Sequence, residues 1–539
     1  MTLNHTRFYP FFLLLITSVL IGTIACNSGA LPEPSPIPPP PNLDEITPIA
    51  AEADGEEAAI DQDPLPESED PTAEADEDGA TPIAEEEATV TPEPTPTLAP
   101  TAVPQTDPPI QSVNSTGLPP TSRDLVFIGD GALKLWTHQN LQLVDLYPSG
   151  TPAEGEARDS IFTQFTGDIT HFDVSADGNR IAAARITRTE TLTRTLEGSD
   201  SVLTQKYHEH EILFLDVVSK ETWVLAQNVT DLQTVQVSPN QQTVAFIGSG
   251  LEPIANPEIS EDPVQLNVYT VLTPDKGNLR QIGSCTAFCN TLLWHSNSEL
   301  FFYTDGTAMW LYNLSASAPE KLLDNRLDAG LDTIVHTPSS LASNGRYLLI
   351  TQSDQSGSRK AIYDIPTGQI IPIPDTFVSI QPEPFPPLVS WMPDTRLLVT
   401  KNDIQGQNWQ TTLELYRVSV DEGIVNREEV TQPDVVAAGT GTIHLENGRF
   451  AYALINQNSA QISGLYIQTS FSEPTEKNTG MIPGFVAPTV VWSPAGDGAI
   501  FVQNGITFFG NGGGPINMSP LFGQFTHGFE WLPATNVDR

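Results

Sequence analysis

Along residues 123–539, large apolar residues recur two positions apart in short runs: Ile181/Ala183, Val244/Phe246, Leu300/Phe302, Tyr347/Leu349, Leu397/Val399, Phe450/Tyr452 and Ile500/Val502. Period two, with β-branched and aromatic side chains, predicts strands. No window of comparable strength carries a helical period. Ahead of the runs stands a five-residue pattern: a large residue, a spacer, often Pro or a small residue, then Asp or Asn, then often Gly. It reads Val174-Ser-Ala-Asp177-Gly178, Val237-Ser-Pro-Asn240-Gln241, Trp294-His-Ser-Asn297-Ser298 and Leu341-Ala-Ser-Asn344-Gly345. Further copies are Trp391-Met-Pro-Asp394-Thr395, His444-Leu-Glu-Asn447-Gly448, Trp492-Ser-Pro-Ala495-Gly496 and Trp531-Leu-Pro-Ala534-Thr535. The Asp/Asn-Gly element supplies the turn before each strand.

Eight copies at intervals of 39 to 63 residues suit four-stranded units. The fold class expected is therefore all-β, a β-propeller of about eight four-stranded blades over 123–539, with seven if the His444 or Trp531 copy opens no blade. Trp531 lies eight residues from the C-terminus, so its blade needs strands from elsewhere. Leu125–Gly131 followed by Leu135-Trp136 aligns without gaps to Leu300–Gly306 followed by Trp310-Leu311. The N-terminal end of the domain is thus expected to complete the Trp531 blade, which removes two free sheet edges. The turn pattern, closest in Trp492-Ser-Pro-Ala-Gly496, resembles the TolB-like, WD40-like family of β-propellers. That resemblance implies architecture only.

The first 26 residues contain no acid and one base, Arg7, followed by an apolar run from Phe11 to Ile24. This is the pattern of a signal peptide. It ends in Thr23-Ile-Ala25-Cys26, which resembles the bacterial lipobox, with Thr23 where that family has Leu. The resemblance implies lipid on Cys26 and a cell-envelope location outside the cytoplasm, with the membrane reached through the N-terminal lipid. A secreted protein cut near Ala25 and an uncleaved apolar anchor are the other readings. Residues 27–122 contain no Lys or Arg, 21 Asp plus Glu, and dense Pro and Thr. Such a segment buries too little apolar surface to fold and is expected to be a disordered tether, roughly 55 Å across as a flexible coil. Its run Glu74–Gly79 with Glu85 echoes an EF-hand loop, but Pro82 and the lack of flanking helices favour a solvated acidic run.

The formal net charge of −43 makes nucleic acid and anionic lipid head groups poor partners. No Gly-x-Ser-x-Gly, His-Glu-x-x-His or Gly-x-x-x-x-Gly-Lys occurs. Asn511–Gly514 lacks a Lys and reads as a hairpin turn. His208 and His210 flank Glu209 and would share one strand face, a candidate binding or metal pair; an exposed strand edge is the plainer reading. No third metal ligand is evident, and no cofactor is expected. Cys285 and Cys289 are expected to form a disulfide. Insertions at Arg185–His210 and Gly248–Gln265 fall between second and third strands of neighbouring blades and share a face with the Cys285–Cys289 connection. This sector is the expected binding site. The function expected is a monomeric binding or scaffolding module for an envelope protein or glycan ligand. The alternative is an envelope hydrolase or carbohydrate-active enzyme with its site at the propeller mouth.

Overall fold

The computed structural model describes residues 112–113 and most of 118–534, with masked stretches of which 478–489 is the longest. The signal segment, Cys26, the Glu74–Glu85 run and Asn511–Gly514 lie outside the described residues.

The five-residue pattern folds as a turn in which its fourth and last positions do different work. In the first copy the N–H of Gly178 donates to the Ser175 carbonyl at 2.8 Å. The Asp177 carboxylate accepts from the Asn179 N–H and the Ser175 hydroxyl. The final position takes positive φ in Gly178, Gln241, Ser298, Gly345, Thr395 and Gly496. That explains the preference for Gly, which adopts this conformation without steric cost.

The described strands form eight sheets, and each pattern copy closes the first strand of one of them. Seven sheets use strands consecutive in the chain. Blade 1 comprises Ile169–Val174, Arg180–Thr195, Val202–Asp216 and Thr222–Thr230. Blade 2 comprises Thr234–Val237, Thr243–Gly248, Leu266–Leu272 and Arg280–Cys285. Blade 4 gains a short extra strand, Val378–Ser379, against Gly357–Asp364. First strands of neighbouring blades lie side by side around the axis, and this is a β-propeller.

The eighth sheet closes the ring from both ends of the domain. Thr526–Trp531 pairs antiparallel with Leu125–Gly129, with Leu125 opposite Trp531. Ala132–Thr137 and Gln142–Tyr147 follow outward. A fifth strand, Ser112–Val113, adds to the outer edge and lies inside the segment read as tether. Against the preceding blade, which comprises Val490–Trp492, Ala499–Gln503, Ile506–Gly510 and Ile516–Asn517, the seam is aromatic: Phe127 and Phe522 have ring centroids 4.3 Å apart, and Trp136 meets Phe509 edge-on at 5.4 Å. Phe522 sits on a short helix, Ser519–Phe522, which no helical period foretold. Gly129 is required there, since a Cβ would lie 2.1 Å from the Phe522 carbonyl oxygen. Among the described residues no helix is long and apolar enough to cross a membrane.

Neighbouring blades are also tied by hydrogen bonds from the turn pattern. The indoles of Trp391 and Trp531 donate to the carbonyls of Ser340 and Val491 in the preceding blades, at 3.3 and 3.1 Å. Asp173 does the converse, accepting the backbone N–H of Val237 in the following blade at 2.8 Å.

Candidate binding site at the channel mouth

The first strands of the closing blade, blade 1 and blade 2 frame a cavity of about 470 Å³. Its walls include Thr170, His171, Phe172, His527, Phe529 and Glu530. Two β-bulges shape it. Gly528 and Phe529 together oppose Phe127, and the register of blade 1 skips Thr170 between Ile169 and His171. The first bulge brings His527 and Glu530, three apart in sequence, onto one strand face. Gly528 takes φ +66°, and a Cβ there would lie 2.9 Å from the Phe172 ring. The bulge thus depends on glycine both for its backbone and for space.

No Lys or Arg lines this cavity. Burial pushes the Asp173 carboxyl up to about 7. Burial, and then the charge of Asp173, push Glu530 up to about 8. Burial also lowers His171 to about 4, with His527 adding to the effect. His527 is lowered by burial and by Arg158, and its buried Nδ1 makes no hydrogen bond. Around neutral pH both imidazoles are therefore uncharged.

The predicted residues lie just outward on the same face. The second and third strands of blade 1 continue past their neighbours as a two-stranded ribbon, registered from Arg185 opposite Glu211 to Thr195 opposite Val202. The expectation of an exposed strand edge for His208–His210 is corrected here. Val202–Asp216 is an interior strand with partners on both sides at His210, whose side chain is buried. His208 and His210 do share a face, with ring centroids 6.2 Å apart. Burial lowers His210 to about 3, with His171 and His208 adding to the effect. The imidazoles of His208, His210, His171 and His527 thus form a run of electrostatic neighbours from the ribbon to the cavity.

Glu209 faces the other way, buried, and accepts from Arg188 Nη1 and the Tyr207 hydroxyl, each at 2.9 Å. Arg188 Nη1 also donates to the Ile254 carbonyl at 2.7 Å, so the two insertions touch. Glu209 is the internal anchor of that clamp. Cys285 and Cys289 are joined by a disulfide, Cα atoms 5.9 Å apart, in the connection leaving blade 2. Val202, Leu203, Ile254 and Phe288 are exposed across this sector. Strand direction puts all of it at the end of the propeller where His171 and His527 open the channel.

Sequence reasoning missed His171, His527, Asp173 and Glu530. One signal was present: an acid immediately before the large residue of the pattern occurs only in the Val174 and Trp531 copies, where the others have Gln236, Leu293, Ser340, Ser390, Ile443 and Val491. Among the described residues no group of three or more His, Cys, Asp or Glu is placed to hold a metal ion.

No family model matches the chain, and no curated protein matches it. Solved structures that it resembles include TolB from Acinetobacter baumannii, at 13% identity and a TM-score of 0.30 over 58% of this chain and 67% of that one. An oligogalacturonate lyase from Vibrio parahaemolyticus is 12% identical, TM-score 0.36, over 72% and 86%. The dihydro-heme d1 dehydrogenase NirN is 12% identical, TM-score 0.41, over 75% and 76%.

Proposed function

We propose that this chain is a binding module displayed outside the cytoplasm, held to a membrane by lipid on Cys26, and that it recognises an envelope protein through the channel-mouth sector of blades 1 and 2. The observation that carries the reading is the contact between the two insertions. Blade 1 builds a ribbon beyond its own sheet, and Arg188 clamps that ribbon to the blade 2 loop through Glu209 and Ile254. A ribbon of two strands is marginal alone. An ion pair at its base between half-buried Arg188 and buried Glu209 fixes its position, as a recognition surface requires. The absence of a recognisable nucleophile motif in the sequence favours binding over the hydrolase reading.

The test is affinity capture of the full-length chain from detergent-solubilised envelopes, wild type beside a variant lacking residues 190–204. Loss of a stoichiometric protein partner, with thermal stability unchanged, is expected. Equal capture would overturn the assignment of the sector. The same cells report on the anchor: Cys26→Ser is expected to lose labelling by a palmitate analogue, and equal labelling would exclude lipid at that residue.

A further inference from the structure

We propose that the channel-mouth cavity binds a small organic cation, an amine or guanidinium compound, with its charged end at Glu530, where the charge of the neighbouring Asp173 adds to the attraction, and its hydrocarbon part against Phe172 and Phe529. This stands apart from any protein partner of the ribbon.

The cavity, about 470 Å³, has the size of a small-molecule site and opens to solvent. Its chemistry is one-sided. Two carboxyls stand on neighbouring first strands: Glu530 lines the cavity, and Asp173 stands beside it, accepting the backbone N–H of Val237 at 2.8 Å. A carboxylate has about four acceptor positions, so each retains capacity for a ligand. The surrounding bases are spent elsewhere. Arg158, near His527, is bonded to Asp168 at 2.7 Å, and Arg185 pairs with Glu211 while lying over the Tyr147 ring. His171, His527, His208 and His210 are uncharged near neutral pH and supply no counter-ion. Phe172 and Phe529 add aromatic walls, whose faces attract organic cations.

Other ligand classes fit less well. Anions meet two carboxyls, and a divalent metal finds no set of three ligands among the described residues. A cation bound here must compete with protons for both carboxyls, so its affinity should rise with pH and its binding should release protons.

The experiment is isothermal titration of the full-length chain in detergent with agmatine and putrescine, at pH 5 and pH 8, in two buffers of different ionisation enthalpy. Saccharides such as glucose serve as neutral probes. The expected result is binding at pH 8, weaker by about tenfold or more at pH 5, with proton release at pH 7. Glu530→Gln is expected to lose about tenfold or more while keeping its melting temperature at pH 5. Should that variant fail to fold, Phe529→Ala provides the second reading and is expected to weaken agmatine. Absence of agmatine binding to folded protein at pH 8, undiminished binding by these variants, or a saccharide bound in place of the cation would overturn the proposal.

Discussion

At the residue scale, the carboxyls that precede two copies of the turn pattern and the buried histidines near them set opposing pH dependences. Burial raises Asp173 and Glu530 to about 7 and about 8 from ordinary values of 3.8 and 4.5. The folded chain holds those protons more tightly than the unfolded chain. Their contribution to stability is therefore whole below the ordinary carboxylate range and is lost as pH rises through 7 and 8. His171 and His210 act in the opposite sense. With values lowered to about 4 and about 3 from 6.5, their contribution is whole above 6.5 and is lost as pH falls through those values. The melting temperature should peak between these limbs. Replacing Asp173 by Asn and Glu530 by Gln together is expected to flatten the alkaline limb between pH 6 and 9 and leave the acid limb in place. An unchanged alkaline slope in thermal unfolding would count against this account.

At the element scale, closure rests on strands from opposite ends of the domain meeting over one aromatic cluster. Phe522 is fully buried between Phe127 and Trp136, at 4.3 and 5.7 Å. Phe522→Ala is expected to cost about 3–5 kcal/mol, by lost transfer energy and a cavity. Phe288→Ala, at an exposed ring in the disulfide loop, should fall within about 0.5 kcal/mol. Urea denaturation followed by tryptophan fluorescence checks both, and equal midpoints would show that the seam does not hold the ring. Closure was legible in the sequence because the repeat supplies a template: Trp531 without following strands and Leu125–Trp136 without a first strand complete each other. The bulges at Thr170 and Gly528–Phe529 were not legible, since a bulge breaks the very alternation by which a strand is read. The ribbon past Arg185 was visible only as extra length. Its Thr-rich alternation lacks the apolar face that marks a half-buried strand, and its pairing emerges only once the two halves are registered. The strand Ser112–Val113 was hidden for the same reason, being two residues in a stretch with tether composition.

At the scale of the whole molecule, the ring brings together what the sequence keeps apart. His171 and His527 come from opposite ends of the domain and line one cavity, whereas His208 and His210 were noticed because they are two residues apart. The unequal blades are the informative ones: a uniform propeller would have no preferred sector, and the insertions of blades 1 and 2 give it one. The turn copies of the six remaining blades build architecture, and the proposed recognition role falls where the repeat is broken. Ser219 lies in the turn between the third and fourth strands of blade 1, at the opposite end of the propeller from the ribbon. Photo-crosslinking in intact cells, with a photoreactive residue placed at Leu203 on the ribbon or at Ser219, tests the recognition surface most directly. The account predicts one discrete crosslinked protein from Leu203 and none from Ser219; the same product from both positions, or a product from Ser219 alone, would contradict it.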